Sequence, residues 1–275
     1  MNEMLYTMRG APVSAWIGIV IVGLYAVLAI AAPLLAPYPE AASVGAQYQP
    51  WVAPHYLGTD ALGRDVLSRL IYGARNTVGL ALVATFFAFL MGALAGLYAA
   101  TVGGWFDQFM GRFADVIMSV PSLIFALLML SIFGTHLAIL VVIVAIIYSP
   151  RVFRLTRAVA GNIVVMDYVE AAKLRGEGLW YLIRREILPN STAPLIAEFG
   201  LEFCFVFLLV AGLSFLGLGI QPPTADWGSM VRENATLISF GEITPLIPAG
   251  AIALLTVSVN FVVDWMLYRS SGLKE

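Results

Sequence analysis

The sequence predicts an all-α integral membrane protein with six transmembrane helices and both termini on the cytoplasmic side. Three observations carry this expectation. Apolar residue types make up 60% of the 275 residues and charged types only 12%, whereas soluble domains run at about 45–50% and about 25%. The apolar residues are gathered into six runs separated by short polar stretches. No run alternates with the ten-residue dyad of a barrel strand, and in lipid a long uninterrupted run satisfies its backbone only as a helix.

The first run covers residues 16–36, about 31 Å as a helix, enough to cross a bilayer core. A cleaved signal has an apolar stretch of only ~7–15 residues behind a basic region; here Arg9 stands alone, so the run reads as a retained span. The others cover about 77–100, 113–133, 137–153, 194–218 and 245–267. Lysine and arginine orient them. With the N-terminus inside, Arg9, Arg112, Arg151, Arg154, Arg157, Lys173, Arg175, Arg184, Arg185, Arg269 and Lys274 are cytoplasmic, against Arg64, Arg69, Arg75 and Arg232 outside. The positive-inside rule favours that arrangement. Outside lie 37–76, a tight turn at 134–136, and 219–244; inside lie a link near 101–112 and a long loop, 151–189. The chain divides into an N-terminal span with its external segment, 1–76, and a five-helix core, 77–275. Trp105 and Trp227 fall at expected interfaces, and Pro121 and Pro150 permit bends in the third and fourth spans.

Several functions are excluded or disfavoured. A net charge of −2 offers no surface for nucleic acid. The single cysteine, Cys204, excludes an internal disulfide and reads as a buried apolar residue. No G-x-x-x-x-G-K-[ST] run is present, so the chain is not expected to bind and hydrolyse ATP itself. His55 and His136, the two histidines, read as surface residues, and no metal-ligand spacing occurs.

The loop at 151–189 carries the most information. The stretch from Asp167 and the stretch from Leu179 read as two short amphipathic helices broken at Gly176–Gly178. Asp167 is placed to cap the first. Ala171 and Ala172 leave a smooth face, and the glycines permit a reversal. In the second, Leu179, Leu182, Ile183 and Ile187 recur near helical spacing, and Pro189 ends it before the fifth span. Outside, Leu57-Gly58-Thr59-Asp60-Ala61-Leu62-Gly63-Arg64-Asp65 precedes an apolar stripe of Val66, Leu67, Leu70 and Ile71, suited to the membrane surface. Leu213-Ser214-Phe215-Leu216-Gly217-Leu218-Gly219, Gln221-Pro222-Pro223 and Trp227-Gly228 read as a fixed outer loop. Glu198 and Glu202 share one face of the fifth span. Acids at membrane depth are costly, and two readings stand: they line the inner pore and meet the substrate or its amine, or they pair with arginines of the inside loop.

Glu170-Ala171-Ala172, three residues, Gly176, ten residues and Ile187-Leu188-Pro189 resembles the coupling signature of ABC-importer permeases. The two outside segments resemble those of the C-type permease subunit of dipeptide, oligopeptide and nickel importers, and the likeness covers nearly the whole chain. It implies a type I ABC importer (MetI-like) permease fold in the bacterial inner membrane, with no catalytic residue and no cofactor in this chain. By resemblance Glu170, Ala171, Ala172 and Gly176, with Leu179, Ile187 and Pro189, dock and couple to the ATPase. Gly58, Thr59, Asp60, Gly63, Arg64, Asp65 and Trp227 form the external motif. Implied partners are a homologous B-type permease, two ATP-binding subunits carrying Mg-ATP, a periplasmic or lipid-anchored binding protein, and membrane lipid. Peptides are the first substrate expectation; nickel or a metallophore, glutathione and opine-like conjugates follow. Glu198, Glu202 and the tail after Asn260 depart from the family pattern, although Asp264 matches it. The rival class is an ion-gradient-driven secondary transporter, which requires buried ionisable residues and inverted repeats; transport by the isolated chain distinguishes it. A membrane enzyme comes third.

Overall fold

The computed structural model describes residues 11–270; Arg9 and Lys274 lie outside them. Among the described residues the secondary structure is helical, with only isolated bridges at Ser43–Arg64, Val52–His55 and Thr59–Asp65. Helix α1 is Val13–Leu35. Helix α2, Val66–Gly73, runs through a π turn, Ala74–Val78, into α3, Gly79–Val102. Then come α4, Gly104–Ser119; α5, Ser122–Phe133; and α6, Leu137–Val164. Helix α7 is Asp167–Leu174, and α8, Leu179–Tyr181, passes through a second π turn, Leu182–Ile187, into α9, Leu188–Phe215. Helix α10 is Trp227–Asn234, and α11 is Leu246–Ser270.

Among the described residues, five helical stretches are long and apolar enough to cross a membrane, and a sixth crossing exists if α4 and α5 count as one bent span. The run at 113–133 is therefore not one straight helix. It breaks between Ser119 and Ser122, and the two halves meet at 88°. Pro121 has no N–H to continue the ladder, and it holds Val120 in extended backbone. Pro150, by contrast, sits inside continuous α6.

Small residues bring the spans together. Along α3 the buried positions are all small but Leu97: Ala81, Ala84, Thr85, Ala88, Gly92, Gly96 and Ala99. A Cβ at Gly96 would lie 2.8 Å from the Phe153 carbonyl oxygen of α6. In lipid the hydrophobic effect gives helices no reason to associate, so close backbone approach supplies the attraction. Gly18 does the same for α1 against α11, where a Cβ would come 2.6 Å from the Ser258 carbonyl oxygen. The main core gathers Tyr25, Leu130, Leu140, Val144, Phe207, Leu213 and Trp227.

The bundle has two ends. At the cap end, residues 36–65 and 216–245 fold over the helices; at the loop end lie 165–178. The expected division at 76/77 falls within the π turn between α2 and α3.

Candidate functional site

At the loop end, α7 ends in a two-bond Schellman turn. Gly176 N–H donates to Lys173 O (2.9 Å) and Glu177 N–H to Ala172 O (3.2 Å), with Gly176 left-handed at φ +81°. Gly178 has ordinary φ, −72°, and precedes α8. Asp167 does not cap α7. The cap position belongs to Met166, without a side-chain bond, and Asp167 stands in the first turn, where its charge complements the helix dipole.

The residues expected to couple divide between two faces. Ala172 and Ile187 are fully buried, with Val169, Leu182 and Ile183, against Leu97, Ala160 and Ile163. Glu170, Ala171, Gly176 and Pro189 are exposed, and Leu179 is just exposed. Around them the loop end shows Leu174 at 83% and Trp180 at 65% exposure, with Tyr168 and Tyr181 beside them. This is an apolar, aromatic platform rimmed by Lys173, Arg175, Arg184 and Arg185, the composition of a surface that another protein covers. Pro189 does not end the helix. The π turn immediately before it widens the ladder, and the chain continues through Leu179–Phe215. From α8 to Phe215 the chain is thus one continuous helix. Nearby, α6 is tied to α4 by the ion pairs Arg154–Asp115 and Arg157–Asp107.

At the cap end the sequence motif proves to be a frame. Asp60 accepts from Leu62 N (2.8 Å), Arg64 N (3.0 Å) and Arg64 Nε (2.6 Å). Glu233 Oε2 on α10 accepts from Arg64 (2.8 Å) and Arg69 (3.2 Å). Asp65 caps α2 through Ser68 N–H (2.8 Å) and holds His55 Nδ1 at 2.9 Å. His55 is consequently buried rather than a surface residue, while His136 is exposed. Thr59 Oγ1 donates to Ala46 O (2.6 Å) and accepts from Gln49 N–H (2.8 Å). Gly58 and Gly63 are left-handed, at φ +73° and +71°, conformations that a side chain would strain.

In the stripe of Val66, Leu67, Leu70 and Ile71, Val66 is buried and the others are half-buried; Leu70 packs on the core, and α2 leads directly into a span. Trp227 is no interfacial anchor. It is 1% exposed, donates from Nε1 to Leu70 O (2.9 Å), and meets Tyr25 edge-on at 5.6 Å. Its plug depends on residues that sequence reasoning missed. Thr77 Oγ1 donates to Asp226 (2.9 Å) and accepts from Trp227 N–H (3.1 Å). Glu40 accepts from Asn76 (3.0 Å) and Ala225 N–H (2.7 Å). Asp226 followed by Ser229, whose N–H it accepts at 2.8 Å, is a cap pattern visible in sequence. Burial pushes the Asp226 carboxyl above its ordinary range, opposed by hydrogen bonds from Ser229, Thr77 and Ser214.

Within the bundle, Glu202 on α9 is 1% exposed and Glu198, one turn earlier, is half-buried. Neither forms an ion pair with the loop arginines among the described residues. Cys204 is buried and free. No group of three or more His, Cys, Asp or Glu suited to a metal occurs among the described residues.

Comparison with known proteins agrees with this architecture. Residues 88–271 match the family model for the binding-protein-dependent transport system inner membrane component. The chain is 33% identical over 263 residues to a probable D,D-dipeptide transport system permease of Escherichia coli K12, covering 95% of this chain and 88% of that one. It is 33% identical over 252 residues to a dipeptide transport system permease of Alkalihalophilus pseudofirmus, covering 91% and 83%. It is 35% identical over 243 residues to a di/tripeptide transport system permease of Pseudomonas aeruginosa, covering 80% of each. A continuous helix from an exposed loop platform into the bundle, a polar cap at the other end and the matched sequence agree: the chain belongs to the inner-membrane components of binding-protein-dependent transport systems, the permease subunits of ABC importers.

Proposed function

We propose that this chain forms half of the translocation path of a peptide importer and that the α7–α8 platform receives an ATP-binding subunit. The observation that carries the proposal is the platform, with Leu174 and Trp180 largely exposed above a buried underside of Ala172 and Ile187. An apolar surface at the end of a span is covered by a partner or avoided. The peptide assignment is supported by the relatives, named for dipeptide, di/tripeptide and glutathione transport. The loop end is assigned to the cytoplasm, since eight of the thirteen described lysines and arginines lie on segments at or leading to it, and of the four toward the cap, Arg64 and Arg69 are buried in the cap network.

In this reading a homologous permease completes the path. Two ATP-binding subunits dock below, and a binding protein delivers substrate at the cap. Closure of the ATP-binding subunits draws α7 and α8, and the unbroken helix to Phe215 carries the movement to the cap end. Hydrolysis takes place on the partners, and this chain supplies leverage alone. Glu170, Ala171 and Gly176 present the docking surface, while Ala172 and Ile187 hold it to α3 and α6. The test is uptake of a labelled dipeptide by vesicles holding the complete complex. ATP-dependent accumulation is expected, and transport by this chain without its ATP-binding partners would refute the proposal.

A further inference from the structure

Glu202 is a charged residue type closed away from water with nothing to hold it. Both carboxylate oxygens are buried and lack a hydrogen-bond partner among the described residues. Natural interiors pair such groups, because an unpaired buried acid costs several kcal/mol. The neighbouring cation, Arg151 on α6, does not complete a pair. Its guanidinium carbon lies 4.7 Å from the Phe205 ring centre and 5.7 Å from that of Tyr148, although its charge acts on both glutamates. Tyr148 gives its hydroxyl to the Phe205 carbonyl at 3.1 Å and leaves Glu202 without a donor. Two acids thus face one base: with both ionised, the cluster is one positive charge short.

The placement says where that charge enters. On α9, Phe199 packs against Phe89 of α3, and Gly200 and Cys204 face Val263 and Thr256 of α11. Glu198 and Phe205 lie toward the remaining side, where Phe205 is exposed and Arg151 covers its ring. A face holding a half-buried glutamate and an arginine is unsuited to hydrocarbon; it borders the path or the second permease. Glu198 stands at its rim, and Glu202 is buried one turn nearer the cap. A cation moving down that face from the cap comes level with Glu202, which reaches it by a rotamer change, and then with Glu198.

We infer that Glu198 and Glu202, balanced by Arg151, form a subsite in the path for a primary ammonium group, the lysine-type side chain of the cargo. The inference rests on the reading of the chain as a peptide permease. The ammonium supplies the missing charge and donors to both oxygens of Glu202. Arg151 keeps the site from holding the cation too tightly, since a path must release what it binds.

The test uses the complete complex with its binding protein in vesicles, and compares uptake of lysyl-alanine with that of glutamyl-alanine. The ratio of the two rates cancels the binding protein's preference, which is common to all variants. In Glu198→Gln/Glu202→Gln the ratio is expected to fall roughly tenfold, the scale of one charge-assisted hydrogen bond. An unchanged ratio overturns the inference. If the double variant fails to assemble, Glu198→Gln, altered only at the half-buried rim, decides by the same ratio. If the unaltered complex accumulates neither peptide, the peptide-permease reading itself fails, a result distinct from an unchanged ratio.

Discussion

Gly176 has two candidate reasons to be glycine, and substitution separates them. It sits at φ +81°, and a Cβ built there meets nothing within 4 Å in this chain. Any cost of a side chain within the subunit is therefore backbone strain without clash. Left-handed backbone costs an ordinary residue roughly 1–2 kcal/mol, asparagine less, and a β-branched residue most. Strain of that size shifts the population of the intact α7 turn by about 5–30-fold. ATP hydrolysis and uptake by the complete complex should then fall in the order glycine, Asn, Ala, Val, with Gly176→Asn near the parent and Gly176→Val lowest. If Asn is as damaging as Val, the strain argument is refuted. The open space would then be occupied by the ATP-binding subunit, and the glycine would be needed for its close approach.

Further predictions follow from the same structure. Glu233→Ala removes one of the two carboxylates, Glu233 and Asp60, that Arg64 and Arg69 share; with Asp60 still in place the cost stays below the about 3–5 kcal/mol of an uncompensated buried charge, readable as a lowered melting temperature of the purified complex. Asp226 ionises above its usual range because burial opposes its charge. A raised carboxyl contributes most below its unfolded pKa and less as pH rises through the folded value. The stability margin of the parent over Asp226→Asn should therefore shrink from acidic to alkaline pH, measured by thermal melts across that range, and a margin that widens contradicts this. Ala172→Leu overpacks the cluster beneath α7 and should cost roughly 1–3 kcal/mol of stability in the same melts. Ala171→Leu, on the exposed face, should leave the melting temperature alone and reduce co-purification of the ATP-binding subunit.

The spans were legible because their signal is local: each apolar run reaches or comes near the bilayer thickness without help from elsewhere. The reversal at Gly176 was legible for the same reason, although only the structure shows the Schellman bonds that require it. Misreadings arose where partners are distant or where irregular helix absorbs a local signal. Arg64 and Glu233 lie 169 residues apart, so nothing near either reveals a buried network, and the external motif read as a surface. His55 looked exposed because its acid, Asp65, is ten residues away. Pro189 read as a terminator because a π turn that accommodates it leaves no compositional trace. Pro121 announced a bend, but not one of 88°. Glu198 and Glu202 were visible as a pair; the absence of any bond to Glu202 emerged from packing alone.

Cross-linking at the exposed platform tests the central claim most directly. Cys204 is the only cysteine in the chain and is buried, so Ala171→Cys introduces a single accessible thiol. A short bifunctional reagent applied to the complete complex in native membranes should join position 171 to the ATP-binding subunit, with the yield changing when ATP is added. Labelling of position 171 by an impermeant maleimide from the outer face, with no cross-link to that subunit, would contradict the assignment of α7 and α8 as the coupling element.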